Sequence, residues 1–178
     1  MAVLHLAQAI AIVALSSWFA LPVTASFLRP DADGGLASDP RVLFDLSLGP
    51  LVGVFLFVSA IAHAAVASAA TRPYEADLAR RMNRARWIEY SLSSSVMIVV
   101  IALLVGIYDV AALLLIFGLN ATMILFGWVM EVHNQTTPRT DWLPYWFGVF
   151  AGVVPWIAIG IYLLGPTLSG DPGPPGFV

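Results

Sequence analysis

The sequence has no cysteine and no lysine. Without cysteine it can form no disulfide, thiolate metal site or cysteine nucleophile. Without lysine, all eight of its basic residues are arginine. Charge of any kind is scarce: 11% of the 178 residues are charged, against about 25% in an ordinary soluble domain. The formal net charge of −3 argues against nucleic-acid binding. No G-x-S-x-G stretch supports a hydrolase, and no internal repeat of the kind found in many transporters is visible. Apolar character is abundant. The chain is 60% hydrophobic, with a mean hydropathy of +0.87. Apolar segments of near-spanning length recur, and about 20 residues of helix cross a bilayer. The fold class expected is an all-α, multi-pass membrane protein whose first partner is the lipid bilayer.

The first apolar run, residues 3–28, has His5 near its start and Pro22 near its end. A cleaved signal peptide is the competing reading, but the run lacks a basic lead and is too long for one. Residues 29–46 form a loop with paired glycines and Asp31, Asp33, Asp39 and Asp45, long enough for a short hairpin. The second span, 47–70, carries Ser59 and His63. A polar turn at 71–79 follows, with Pro73 placed to start a helix. The third span, 80–106, grows from an arginine-rich lead and contains Glu89 and four serines. After a very short turn, Asp109 can cap the fourth span, 109–131, which has Asn120 near its middle. The fifth span, 141–164, has Pro144 in its first turn, where proline is tolerated, and Pro155 where it should kink the helix. The Pro/Gly-rich tail, 165–178, ends on Gly176-Phe177-Val178, which reads like the start of another apolar run. Together with the absence of a polar lead before Met1, this suggests a cut chain with one membrane domain.

Arginine placement orients these spans. Arg72, Arg80, Arg81, Arg84 and Arg86 lie between spans two and three, and Arg139 between four and five. The opposite side has only Arg29 and Arg41, beside four aspartates. The positive-inside rule then makes the N-terminus cytoplasmic.

In that frame Glu89 lies in the cytoplasmic half of span three. His63 is about 13 Å from the cytoplasmic end of span two at 1.5 Å per residue, and His5 is at the cytoplasmic start of span one. Ser59 shares a helix face with His63, and Ser93 with Glu89, four residues apart in each case. A carboxylate inside a membrane span faces a partner or a water-filled cavity, so the expectation is a hydrated polar pocket between spans one, two and three. Plainer alternatives stand beside it. Glu89 could pair with Arg86 at the interface, His5 could lie at headgroup level, His63 could be structural, the serines could serve close packing, and Asn120 could be interhelical glue. Met123, Gly127 and Met130 share one face of span four. Trp142 suits an interface anchor, and Trp146 and Phe150 could wall an apolar slot to which Gly127 gives room. Ordinary helix packing explains the same pattern. His5, His63 and Glu89 could also bind a metal, but their spacing matches no recognised signature, and no metal is assigned.

Five stretches together resemble the heliorhodopsins: HLAQAI, FLFVSAIAH, RWIEYSLSSSVMI, LNATMILFGWVME and WFGVFAGVVPWIAI. The resemblance covers nearly the whole chain and is most specific in the Glu-Tyr-Ser stretch. It implies a seven-helix retinal-binding light sensor with a cytoplasmic N-terminus, of which five helices are present here. It also implies that Glu89 is the counterion of the protonated retinal Schiff base. His5, Ser59 and His63 would belong to a hydrated cytoplasmic cavity, and Ser93 would lie close to the imine. Asn120, Met123 and Gly127 would form the span-four wall of the retinal pocket, and Trp146 and Phe150 the span-five wall. The segment 29–46 would form a hairpin contributing to a homodimer, and an unidentified signalling partner would read the photostate. The departure is the attachment lysine, which this sequence lacks. Two other expectations are weighed against the photosensor: a small proton-conducting transporter or channel using Glu89, His63 and His5, and a structural membrane scaffold.

Overall fold

The structure is a computed structural model and describes residues 1–30 and 34–170. Asp31, Asp33 and the tail from residue 171 therefore lie outside the described residues. The elements in chain order are α1 (Ala2–Leu15), β1 (Ala20–Pro30), β2 (Leu36–Ser47), α2 (Leu48–Ala67), α3 (Thr71–Ala79), α4 (Arg84–Leu104), α5 (Val110–His133) and α6 (Leu143–Leu168). Among them α2, α4, α5 and α6 are long and apolar enough to cross a membrane, and α1 is a shorter apolar helix.

The first apolar run does not form one helix from 3 to 28. Helix α1 ends at Leu15, and Ser16 is already extended, with φ −68° and ψ 141°. At 1.5 Å per residue the helix is about 21 Å long, short of the roughly 30 Å hydrocarbon core. Beyond it, Pro22 cannot donate to a helical ladder, while Val23, Thr24 and Phe27 favour extended backbone. The segment pairs antiparallel with β2, from Ala20 opposite Ser47 to Pro30 opposite Leu36, with a bulge between Val23 and Thr24. The expected loop at 29–46 is thus mostly strand, in a ribbon much longer than a short hairpin. An apolar run does not by itself distinguish strand from helix; here the partner strand's hydrogen bonds decide.

The ribbon is anchored at one end of the bundle. Its Thr24 N–H donates to the Tyr108 carbonyl at 2.8 Å. Val23 is buried in the main core with Leu48, Ile98, Ala102, Leu103, Ile107, Leu113, Ile116 and Ile159. The outer ribbon is exposed, with Asp39 accepting from Arg29 and Arg41 at 3.1 Å each.

The third span is also divided differently. Residues 71–79 are the short helix α3, not a turn, and the long helix starts at Arg84 instead of Arg80. Between them Arg81 adopts a left-handed conformation, φ 58°, and the Asn83 side chain caps α4 by accepting from the Arg86 N–H at 3.1 Å. Asp109 caps α5 as expected, accepting from the Ala111 and Ala112 N–H groups at 3.0 Å each. Helix α6 has Pro144 in its first turn and continues through Pro155 and Pro166 to Leu168, past the Leu164 end expected from sequence.

Helix α3 is held to α4 by one buried carboxylate. Asp77 accepts from Arg84 Nε and Nη2 at 2.7 Å each and from Arg80 Nη2 at 3.2 Å. The Arg84 hydrogen bonds are the main cause of its pKa lying below the usual aspartate value, outweighing desolvation. A depressed carboxylate stabilises the fold fully above its unfolded pKa of about 3.9, and that contribution is lost as pH falls through the lower folded value. Thermal unfolding at a series of pH values below 6 should show it: Asp77→Asn lowers the midpoint near pH 6 and flattens the acid decline. Parallel wild-type and variant curves would remove Asp77 as the latch.

Candidate functional site

The polar residues singled out in the sequence converge at the end of the bundle opposite the ribbon. Helices α2 and α4 run antiparallel there and bring Ser59 to Glu89. Both are buried, Glu89 being 8% exposed, and the Ser59 hydroxyl donates to Glu89 Oε1 at 2.5 Å. One turn further along α2, His63 joins Glu89 in lining a cavity of about 170 Å³. His5 of α1 stacks on His63, with ring centroids 5.2 Å apart and planes 14° from parallel, and its Nδ1 lies 3.3 Å from Gln8 Oε1. His63 is exposed on the flank of α2, not enclosed. Ser93 is buried one turn beyond Glu89 on α4.

Sequence reasoning missed the rest of the cavity lining, which includes Tyr74 of α3 together with Asn83, Arg86 and Tyr90. It left open an ion pair between Arg86 and Glu89. The structure pairs Arg86 with Glu131 instead, Nη2 to Oε1 at 3.2 Å, and the guanidinium carbon lies 4.4 Å from the centre of the Trp87 ring. Glu131 Oε2 also accepts from the Asn83 N–H at 2.7 Å. The sequence carried only the level at which these contacts fall. The tight turn at 107–109 makes α4 and α5 an antiparallel pair, so residues at matched distances from it lie at the same height, and the rotation of the two helices decides which of them touch. Arg86 and Glu131 are such a pair, as are Trp87 and Gly127, and Ser94–Ser95 and Asn120.

The last pairing is interhelical glue. Asn120 is buried, and its Nδ2 donates to Ser94 Oγ at 2.9 Å and Ser95 Oγ at 3.0 Å. An amide inside an apolar bundle needs such partners, because leaving it unsatisfied costs about 1–3 kcal/mol.

A second, apolar cavity of about 260 Å³ lies between α4, α5 and α6. It is lined by Trp87, Met123, Ile124, Phe126, Gly127, Met130, Tyr145, Gly148 and Val149. Met123, Gly127 and Met130 thus share one wall. Trp146 and Phe150 do not line this cavity: they are 63% and 76% exposed on α6. Three- and four-residue helical spacing leaves the rotation of a face open, and packing on α5 turns Tyr145, Gly148 and Val149 inward. A Cβ on Gly127 would overlap the Trp87 ring, so the missing side chain is what admits the indole.

Outside the spans, the α5–α6 connection is clasped by side chains. Asn134 Oδ1 accepts from the Asp141 N–H at 2.7 Å, and its Nδ2 donates to the Asp141 carbonyl at 3.1 Å. The Asp141 carboxylate accepts from the Leu143 N–H and lies 2.8 Å from His133 Nε2. Those bonds, the Leu143 one foremost, hold its pKa below the usual value.

The sequence that builds this arrangement matches a known family. The family model for heliorhodopsins covers residues 1–178. The chain belongs to the heliorhodopsin family. No curated protein matches it. Heliorhodopsins are light-sensing, retinal-binding proteins of the membrane, and the four spanning helices make this chain a multi-pass membrane protein. The residues present fit the retinal group of the heliorhodopsins in part. A buried carboxylate beside a cavity suits a cation, and the Met123–Gly127 slot suits an apolar chain. The anchor does not fit, because no lysine is present and a covalent link to retinal cannot be made from this chain alone.

Proposed function

We propose that this chain forms the counterion-bearing part of a light-sensing heliorhodopsin, one that signals instead of pumping ions and acts as a photoreceptor, not an enzyme. The observation that carries the reading is Glu89. It is buried and held by an uncharged hydroxyl, and among the described residues no arginine pairs with it. A buried carboxylate in that condition is matched to a cation supplied from elsewhere. Retinal, held on a lysine that this sequence lacks, would supply that cation and the visible absorption. The chain's own residues do the rest. Glu89 offers the negative charge, Ser59 orients it, and Ser93 lies buried one turn away on α4. Met123 and Gly127 wall the slot, with Asn120 tying their helix to α4. His5 and His63, stacked beside the cavity, offer ring nitrogens that can accept a released proton.

The test is to express the entire open reading frame containing these 178 codons, with retinal supplied. A visible band that shifts on Glu89→Gln supports the reading. A band indifferent to that change removes Glu89 as counterion. No band at all favours a second reading, for which the stacked His5–His63 pair beside Glu89 is the specific support: a retinal-independent proton path. Proton uptake by liposomes, abolished in His63→Ala, would be its signature, and a scaffold would show neither.

We also propose a cytoplasmic N-terminus and a homodimer formed through the ribbon. The arginine distribution supports the first; the exposed apolar side chains of Leu28, Leu36, Val42 and Phe44 support the second. Because the chain has no cysteine, Ser38→Cys tests both. An impermeant maleimide should label it from outside intact cells, and oxidation should couple two copies. Protection from the reagent would reverse the orientation, and failure to couple would remove the ribbon interface.

A further inference from the structure

Two carboxylates lie within reach of one arginine, and the structure gives the arginine to the one further from the cavity. Arg86 and Glu89 are three residues apart on α4, hence neighbours on one helix face, and both line the 170 Å³ cavity. Left to itself, a guanidinium so close would pair with the buried carboxylate and neutralise its charge. Glu89 would then be a neutralised partner for any other cation. Instead Arg86 Nη2 is 3.2 Å from Glu131 Oε1 on α5, and the guanidinium is stacked against Trp87. The second oxygen of Glu131 is engaged by the Asn83 N–H at the capped start of α4, so the carboxylate is itself held in place.

We propose that Glu131 is a positioning residue. By retaining Arg86 on the α5 side it keeps that cation off Glu89 and leaves the buried carboxylate for its own cationic partner. The proposal deepens the counterion reading and rests on it for its purpose, but its geometry is independent of retinal. The groups facing Glu89 from each neighbouring element agree with it. Helix α2 brings the Ser59 hydroxyl and His63, with His5 of α1 stacked behind; α3 brings Tyr74, and α4 brings Tyr90 and Arg86. Of these only Arg86 carries a fixed charge. On the α6 side Tyr145 lines the apolar cavity with Trp87 and not the polar one.

The chain has three glutamates, Glu75, Glu89 and Glu131, so carboxyl-labelled glutamate gives a resolvable carbon-13 titration of the whole chain in lipid nanodiscs, without retinal. Glu131→Gln is the variant of choice, since the amide still accepts from the Asn83 N–H while the charge that retains Arg86 is gone. The expected result is a Glu89 midpoint lowered by about 1 pH unit or more, restored when Arg86→Gln is added. A midpoint that moves by less than about 0.3 unit in Glu131→Gln overturns the proposal. If Glu131→Gln does not yield a helical, monodisperse chain, Arg86→Gln alone decides. With Arg86 held elsewhere, its removal should move the Glu89 midpoint by less than about 0.5 unit, whereas a rise of about 1 unit or more overturns the positioning role. The two readings fail separately. A chain with no part in light sensing still shows this shift, and the visible band of Glu89→Gln tests the counterion role without reference to Glu131.

Discussion

Leu103→Ala is expected to cost about 2–4 kcal/mol of stability. Leu103 is 0% exposed, at the centre of the cluster where α4, α5, α6 and the ribbon meet. Its neighbours come from four separate elements: Val23, Ile98, Ile116 and Ile159 are buried in the same cluster. Collapse into the hole would require at least two of those elements to move together. In a bilayer the helices gain little from hiding apolar surface from water, because lipid tails are equally apolar. The loss is therefore mainly one of packing, and it scales with the cavity left behind. Reversible unfolding in mixed micelles would measure it. The same variant should loosen the ribbon's anchorage, visible as faster hydrogen exchange at the Thr24 N–H that donates to Tyr108. A penalty below about 0.5 kcal/mol with unchanged exchange would mean that the cluster does not hold the ribbon.

Gly127→Val acts at the other end by overfilling. A Cβ at this position overlaps the Trp87 ring, and an indole that yields gives up its buried seat and its stack under Arg86. Forcing extra carbons into such a contact costs about 1–3 kcal/mol. The disturbance should travel, because Trp87 supports Arg86 and Arg86 is retained by Glu131. Lower unfolding stability together with a shifted tryptophan emission maximum is the expected pair of results. A variant as stable as the parent, with unchanged emission, would show that Trp87 can leave without consequence and that Gly127 is not needed for its seat. Gly152 makes a similar approach to the sulfur of Met123, so the α5–α6 contact relies on the same device of glycine beneath a large side chain.

The residues differ in how far they could be read in advance. Family membership was legible only through the resemblance of five stretches; membrane character and the four long spans were legible because length and hydropathy are one-dimensional properties, and the bilayer demands them of each segment separately. The Asp109 cap was legible for the same reason, since its hydrogen bonds reach only two and three residues along the chain. The neighbours of Glu89 could be narrowed by depth: Ser59 donates to it and His63 lines the same cavity. Which of two carboxylates takes Arg86 could not be read, because that depends on how α4 and α5 are rotated against each other. Nor could the outward turn of Trp146 and Phe150, since a stripe at helical spacing does not state which neighbour it faces. The ribbon is the clearest case. Residues 20–28 are as apolar as a spanning helix, and only pairing with residues 36–47 makes them strand. The environment of each segment and the chemistry at its ends follow from residues close together in the chain. The tertiary structure alone decided pairing, rotation and the partner of each buried charge, because these depend on groups distant in sequence that must satisfy one another at once.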